Sequence, residues 1–407
     1  MNKHFRFLLL LVNLFAISCF ACKEGPESAR KKLESMGIPY TESVFLEKVE
    51  ERNTDVVKLF LQAGMKDNKR ACMAALWQAV DGDQVEMVEA LVQNGADANI
   101  TKNGVPLLLF AIGGYGNPQI VKALIGAKAD VNARSERGST CLTTAISYLK
   151  GSEIIRMLIR AGADVNAPDS GREWSRPLIY AASTPSNYEL EIIQELIKTG
   201  ADVNLLNSDG ETALHRAVIR GNLDSIKTLI DAGVDVNAKN KEGCTALFFA
   251  VKSASLEVIR TLIAAHAKAN IPNDNGDTVL MNALQNNEKL KVLKELLVAG
   301  ANVNAVNKDG STALIIAAKN ETIEVIEMLL NKGANVNATN KKGETPLLQV
   351  ASMGDKCDQR VQIAKLLLAK GAVGSAYVRV PCSEVQQLFP QSAREELLMK
   401  QRNMPNK

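Results

Sequence analysis

Residues 210–243 read GETALHRAVIRGNLDSIKTLIDAGVDVNAKNKEG, and this stretch decides the fold. Leu214 and Ala217 stand three residues apart, so they share one face of a first helix. The apolar spacing predicts a second helix from about Leu223 to Asp231. Gly233 ends that helix, because glycine readily adopts the left-handed conformation that a helix C-terminus often requires. The stretch therefore predicts two short helices followed by a short extended hairpin.

The closing motif of this unit, two or three aliphatic residues and then Gly-Ala-Asp/Asn-Val-Asn, recurs along the chain. Its final asparagines are Asn68, Asn99, Asn132, Asn166, Asn204, Asn237, Asn270, Asn304 and Asn337, and a degenerate tenth copy ends near Ser375. The intervals are 31, 33, 34, 38, 33, 33, 34 and 33, then 38. A regular period and a 4% aromatic content indicate an all-α repeat solenoid of about ten stacked helix pairs, whose core forms between neighbours.

The repeat resembles the ankyrin repeat, which has a period of 33 residues and the signature Gly-x-Thr-Pro-Leu-His-x-Ala. The copies that carry the resemblance are residues 210–217, 243–247, 310–314 and 343–347. The resemblance covers roughly residues 41–375. It implies helix-turn-helix units joined by β-hairpin loops, a non-enzymatic protein-binding function, and a structural His215 that is hydrogen-bonded to the neighbouring repeat. It also implies that partners contact the hairpin tips and the concave groove beside the first helices.

The chain divides into five parts on this interpretation. We expect a signal peptide at residues 1–21, a polar tether at 22–40, an N-capping repeat at 41–68 and repeats two to ten at 69–375. Residues 376–407 form a C-terminal cap and tail, with helices predicted over 383–389 and 393–400. Two repeats lack the glycine that ends the second helix, because Lys128 and His266 replace it. We expect those two repeats to be locally weaker.

The first residues have the three-part layout of a secretory signal: Lys3 and Arg6, then an apolar run of about 12 residues, then small residues and cysteine. That run is too short to span a bilayer comfortably. Residues 16–19, Ala-Ile-Ser-Cys, resemble a bacterial lipoprotein box, although Ala16 stands where leucine is preferred. Acylation is predicted at Cys19, with Cys22 as the alternative. Plain cleavage and an uncleaved anchor are the other interpretations. An exported, periplasmic chain, lipid-anchored to the inner or outer membrane, is expected.

The residues needed for catalysis or metal binding are scarce. The chain has three histidines, one of which belongs to the signal, and no phosphate loop or nucleophile motif. Beyond the signal, the cysteines have no Cys-x-x-Cys spacing, so we expect no metal site; Cys357 and Cys382 could pair, or all could be free thiols. We predict no catalytic residue and no cofactor. The net charge of +3 gives no pull toward nucleic acid, and no small-molecule substrate is expected.

Two groups of residues are candidates for binding a protein partner. The first group comprises basic residues at the hairpins: Arg134, Arg137, Lys241, Lys308 and Lys341. They either contact an acidic surface of a partner or form an ordinary solvated surface. The second group lies in or beside the fifth repeat, which is five residues too long: Arg172, Trp174, Tyr148 and Tyr188. Tryptophan, tyrosine and arginine dominate binding hot spots, although Trp174 could instead fold onto its own repeat. Trp77, in the histidine position of the second repeat, is predicted to lie in the core.

The sequence thus predicts a protein-interaction module of the bacterial cell envelope. A scaffold for envelope proteins and an inhibitor or immunity protein that neutralises a toxic enzyme are not distinguished by these residues. A secreted effector that acts on host proteins is a further alternative.

Overall fold

The computed structural model describes residues 25–148, 151–169, 176–185, 188–284, 289–320, 322–351 and 357–373. The chain divides after Arg172 into an N-terminal unit and a C-terminal unit. The described residues form 21 helices and one two-stranded sheet, which agrees with the predicted all-α repeat fold. Several predictions lie outside the described residues: the signal with Cys19 and Cys22, the anchor residues Arg172 and Trp174, Cys382, and the tail 376–407.

The N-terminal unit begins with a single helix and continues with helix pairs. Its helices are α1 (Pro26–Ser35), α2 (Glu42–Glu50), α3 (Thr54–Gln62), α4 (Lys69–Asp81), α5 (Val85–Gln93), α6 (Leu107–Gly113), α7 (Pro118–Gly126), α8 (Cys141–Ser147) and α9 (Gly151–Arg160). A 3₁₀ turn (Met65–Asp67) precedes α4, and strands β1 (Thr101–Lys102) and β2 (Val105–Pro106) precede α6.

The C-terminal unit is built from six further pairs. Its helices are α10 (Pro177–Ser183), α11 (Glu189–Lys198), α12 (Ala213–Arg220), α13 (Leu223–Asp231), α14 (Ala246–Lys252), α15 (Leu256–Ala264), α16 (Val279–Ala283), α17 (Lys289–Val298), α18 (Ala313–Asn320), α19 (Ile323–Asn331), α20 (Pro346–Ala351) and α21 (Cys357–Ala369). The predicted bounds of the second helix in the 210–243 stretch are confirmed, and Gly233 ends it with φ +84°.

Within each unit the first helices of successive pairs pack against one another, and the second helices form a parallel row. Equivalent leucines supply the core: Leu214, Leu247, Leu280, Leu314 and Leu347 are all buried. Each is the second residue of a first helix, and its burial agrees with a core that forms between stacked repeats. None of the described helices is both long and apolar enough to cross a membrane.

In most of the described repeats, the closing asparagine links its repeat to the next one in the same unit. Asn304 Nδ2 donates to the Gly333 carbonyl at 2.9 Å, and its Oδ1 accepts from the Asn335 amide at 2.7 Å. Two backbone groups of the following repeat are therefore satisfied by one side chain. The same pair of bonds is made by Asn99, Asn132, Asn237, Asn270 and Asn337. This bridge explains why asparagine closes the motif.

The connections between pairs are turns more often than the extended hairpins that were predicted. Among the described residues, only β1 and β2 pair as strands, with one isolated bridge between Arg134 and Thr140. Elsewhere an asparagine closes the turn: Asn240 Oδ1 accepts from the Cys244 amide at 2.8 Å. Successive turns are joined by backbone bonds, such as the Lys308 amide to the Asn275 carbonyl at 2.9 Å.

The predicted polar tether is wrong over the described residues of its range. Pro26–Ser35 forms α1, which packs against α3 and continues the row of second helices. Ala29 and Leu33, one turn apart, are fully buried, and Arg30 Nε donates to the Ala63 carbonyl at 3.0 Å. The charged residues of this segment therefore lie on the outer face of a helix and not in an extended tether. This helix therefore covers the first complete helix pair.

The two repeats that lack a terminal glycine keep the left-handed turn. Lys128 has φ +64° and His266 has φ +66°, so each side-chain-bearing residue adopts the conformation that glycine has elsewhere. Asn99 still binds the Lys128 carbonyl, and Asn237 still binds the His266 carbonyl. The helix ends are thus unchanged in form, and the conformational cost falls on these two residues.

Candidate functional site

The repeat that starts at α4 has no hairpin in front of it. Only the 3₁₀ turn Met65–Asp67 separates α3 from α4, which matches the short first interval of 31 residues. The next hairpin, β1–β2, is present and rises beside α4. Because nothing equivalent stands on the other side among the described residues, one face of α4 is left open along its length.

That open face carries residues three and four positions apart. A groove of about 530 Å³ lies along this face. Its lining residues from α4 are Arg70, Met73, Ala74, Trp77, Gln78 and Asp81, and those from the hairpin region are Ile100, Thr101 and Lys102. The opposite face of α4, which includes Ala75 and Leu76, is buried in the stack. A face turned away from the core normally carries polar residues, yet Met73 is 42% exposed here. The groove is therefore apolar in its middle and charged toward its ends.

Aromatic rings form the floor of this groove. The Trp77 ring lies against Phe110 of α6, with centroids 4.9 Å apart and an interplanar angle of 35°. The Lys102 ammonium sits 5.6 Å from the centre of the Trp77 ring, within the range of a cation–π contact. Trp77 was predicted to be a core residue, and that prediction is wrong. The ring is half-buried because Phe110 covers part of it, and the absent hairpin leaves the rest open.

The groove continues past the end of α4. Asp81 also lines a smaller depression formed with Phe110, Tyr115 and Asp83. Tyr115 is 70% exposed, and Asp83 accepts a hydrogen bond from Asn117 Nδ2 at 2.8 Å. Cationic side chains thus stand at the start of α4 and over its centre, and carboxylates stand at its end.

The residues predicted as anchors around the fifth repeat are placed only in part. Tyr148 follows α8 and is 53% exposed; Tyr188 precedes α11 and is 50% exposed. Both are large side chains at inter-helix loops, as predicted. They belong to different units, and Arg172 and Trp174 lie outside the described residues. Their role in binding stays a prediction.

The basic hairpin residues are exposed, and some also support the scaffold. Arg134 donates through its guanidinium to the Pro168 carbonyl of the following repeat, whereas Arg137 is exposed at the turn. The backbone amides of Lys241, Lys308 and Lys341 bond to the preceding turn, so their exposed side chains are held at fixed tips. Lys241 and Lys308 are each followed by an exposed carboxylate, Glu242 and Asp309. These tips therefore carry both signs of charge.

His215 has the structural role that the resemblance implies. It is buried, its Nδ1 lies 2.9 Å from Thr212 Oγ1, and its Nε2 lies 3.3 Å from the Cys244 carbonyl in the next repeat. Burial lowers the pKa of His215, so the neutral imidazole is favoured. This side chain bridges two repeats and is not presented to a substrate.

The thiols described by the structure are free. Cys72 and Cys141 are buried and Cys244 is half-buried, as the free-thiol interpretation predicts. Burial raises the pKa of Cys141 to about 12, which keeps it protonated and unreactive at neutral pH. The pairing of Cys357 with Cys382 involves side chains outside the described residues.

One buried carboxylate bridges α11 and α13. Glu189 is 5% exposed and accepts a hydrogen bond from Ser225 Oγ at 3.0 Å. Burial raises the pKa of Glu189, because the carboxylate loses hydration that the hydrogen bonds from Asn222 and Ser225 only partly replace. It faces the helix stack and does not open on a groove. Within the described ranges, no group of three or more His, Cys, Asp or Glu side chains could hold a metal ion.

Comparison with known proteins agrees with this architecture. A family model described as "Ankyrin repeats (3 copies)" matches residues 76–169, 178–275, 220–304 and 280–376. The chain is also 32% identical over 132 residues to a putative ankyrin repeat-containing protein of Treponema pallidum (strain Nichols). That alignment covers 31% of this chain and 44% of the relative, so the match spans less than half of the relative's length.

Proposed function

Because the chain belongs to the ankyrin-repeat family, whose repeats are generally protein–protein interaction modules, we propose that it binds a protein partner through the groove along α4 and has no enzymatic activity. One observation carries this proposal: Met73 and Trp77 lie on the face of α4 that points away from the core. A rigid helix stack presents them without rearrangement.

The energetic argument favours a partner at this position. Full burial of one large apolar side chain is worth roughly 1.5–3 kcal/mol, so covering Met73 and completing the burial of Trp77 offers a partner a few kcal/mol. Tryptophan is also enriched among residues that dominate binding energy, particularly when charged or polar groups surround it and exclude water. Arg70, Lys102 and Asp81 form such a surround.

The loops around the fifth repeat are a second candidate surface for the same function. Tyr148 and Tyr188 are half-exposed aromatic residues at loops, where a rigid scaffold tolerates variation. They enter the test below as a separate set of substitutions, together with Trp174.

Affinity capture with the mature chain tests the proposal. Wild type, the double variant Met73→Ala/Trp77→Ala, and the triple variant Tyr148→Ala/Trp174→Ala/Tyr188→Ala are cross-linked in envelope extracts. Val298→Ala is the matched control, since Val298 is an exposed apolar residue of α17 that lies outside both surfaces. We expect the Met73/Trp77 variant to lose the protein captured by wild type and the control to keep it.

Two results would contradict this. If the Met73/Trp77 variant still captures the protein and the triple variant does not, the interface lies at the fifth repeat instead. If wild type captures only proteins that a scrambled bait also captures, the protein-binding function itself is wrong.

We further propose that the chain is exported to the periplasm and anchored by acylation of Cys19 or Cys22. The basic start, the short apolar run and the small residues before Cys19 support this. Because α1 begins at Pro26, extended chain gives a reach of only about 14 Å from Cys22 or about 24 Å from Cys19. The repeats would then lie close to the membrane surface. Fatty-acid labelling of Cys19→Ala and Cys22→Ala chains tests this. If both variants keep the label, this anchor is excluded.

The biological role of such a module separates into three proposals. A scaffold binds a protein that works in the envelope, whereas an inhibitor or immunity protein binds a toxic enzyme and abolishes its activity. A secreted effector would be found unacylated in the culture medium and bound to a host protein. The identity of the captured protein and the location of the mature chain distinguish them.

A further inference from the structure

The charges on α4 stand in the reverse of the order that stabilises a helix. Lys69 and Arg70 occupy its first turn and Asp81 ends it, and no acidic residue lies in the first turn or basic residue in the last. The backbone dipole favours acidic residues at a helix N-terminus and basic residues at its C-terminus. Other helices follow that rule, such as α2 with Glu42 first and Lys48 in its last turn. The charges of α4 therefore act against its own stability.

Two of these charges border the groove. Arg70 lies at one end of the exposed stripe and Asp81 at the other, with Met73 and Trp77 between them. Within the described residues, neither Arg70 nor Lys102 is in an ion pair, so their charge is not neutralised inside the chain. A stability cost together with open, unpaired charge around a half-buried tryptophan is typical of a functional surface.

We infer that this groove binds an extended segment of a protein partner that carries an acidic side chain, then a bulky apolar side chain, then a basic side chain. The inference rests on the proposed protein-binding function and names the chemistry of the partner. The acidic group lies beside Arg70, the apolar group contacts Met73 and Trp77 near the Lys102 ammonium, and the basic group lies beside Asp81. The charge order of the groove sets this order of groups.

The length of the groove sets the length of the segment. Arg70 and Asp81 are eleven positions apart along the helix, which corresponds to about 16 Å at 1.5 Å per residue. Extended chain rises about 3.3 Å per residue, so about five residues of partner cover the distance. The segment is therefore a short linear stretch, and a folded surface is not needed to supply it.

A displayed library of random hexapeptides, selected on the immobilised mature chain, tests the inference directly. We expect selected peptides to share one apolar residue flanked by one acid and one base. On Arg70→Glu chain the acidic preference should change to a basic one, and on Asp81→Lys chain the basic preference should change to an acidic one. Trp77→Ala should remove the apolar preference. Lys241→Glu, at a hairpin tip of the C-terminal unit, is the control and should leave the pattern unchanged.

Binding of the best wild-type peptide is then measured by fluorescence anisotropy. We expect each charge reversal to weaken binding at least tenfold at low salt, and the loss to shrink as salt screens the charges. Both reversals correct the charge order of α4, so both variants should melt at a temperature equal to or above that of wild type. Weaker binding by a more stable chain cannot come from unfolding.

The inference is overturned if wild type selects no peptides with this pattern, or if Arg70→Glu and Asp81→Lys select the wild-type pattern. Either result leaves the protein-binding function standing as long as the captured partner is still recovered by wild type. Failure of the capture experiment, by contrast, removes the function on which the inference rests.

Discussion

Replacing Lys128 or His266 with glycine should stabilise the chain. Both residues have left-handed backbone at the end of a second helix, where Gly95, Gly162, Gly200, Gly233, Gly300 and Gly333 stand in other repeats. A left-handed conformation costs a residue with a side chain about 1–2 kcal/mol relative to a right-handed one. Glycine avoids that cost but loses more conformational freedom on folding, about 0.4–1 kcal/mol. The net expectation is a gain of about 0.5–1 kcal/mol for each substitution.

The inter-repeat bonds at these sites should survive the change. Asn99 and Asn237 bind the backbone carbonyls of Lys128 and His266, and a substitution of the side chain leaves those carbonyls in place. The reciprocal substitutions provide the control: Gly162→Lys and Gly233→His. A Cβ at either glycine would meet no atom within 4 Å, so the backbone conformation alone should set the cost.

Equilibrium urea unfolding followed by far-UV circular dichroism measures the effect. Lys128→Gly and His266→Gly should raise the midpoint at unchanged slope, while Gly162→Lys and Gly233→His should lower it by a similar free energy. Because the two glycine substitutions lie in different units, their effects should be independent. If the two glycine variants are less stable than wild type, the reasoning from left-handed backbone is refuted.

Three further outcomes are expected. Asn304→Ala should destabilise the chain by about 1–2 kcal/mol in urea unfolding, because two hydrogen bonds to the next repeat are lost; unchanged stability would show that water replaces them. Glu189→Gln should be at least as stable as wild type at pH 7. The raised pKa of Glu189 means that the folded chain takes up this proton at a higher pH than the unfolded chain. Wild type should therefore gain stability relative to the variant as pH falls toward 4.5. The same pH dependence of stability in both chains would contradict this. His215 should become charged only at a lower pH than an ordinary histidine, followed by ¹⁵N chemical shift, since burial lowers its pKa; titration in the ordinary range would place it in a more solvated site.

The repeat itself was readable from the sequence because each part has a local cause. The bounds of α13, the glycine that ends it and the buried leucine near the start of first helices such as α12 and α14 follow from spacing and backbone preference. Some threonines at helix starts cap free backbone amides: Thr345 Oγ1 accepts a hydrogen bond from the Leu348 amide at 3.3 Å, whereas Thr245 and Thr278 make no such bond.

Features that depend on packing were not readable in the same way. Helix α1 has only Ala29 and Leu33 as its buried pair, which is too short an apolar pattern to separate from a polar tether. Its stability comes from contact with α3 and from the bond of Arg30 to the Ala63 carbonyl. The position of Trp77 was inferred by analogy with the histidine of other repeats. The missing hairpin changes what surrounds that position.

A sequence signal for the groove existed in the first interval of 31 residues, two fewer than the repeat period. An insertion adds side chains that can be seen in a sequence, whereas a deletion acts by uncovering residues that belong to a neighbouring element. The shortened connection before α4 exposes one face of that helix, and the exposed face carries Met73, Trp77 and charges in a destabilising order. In a stack whose repeats contact only their neighbours, one weakened helix costs little to the other repeats. A repeat fold can therefore retain a costly binding surface at one position while equivalent positions keep their stabilising pattern.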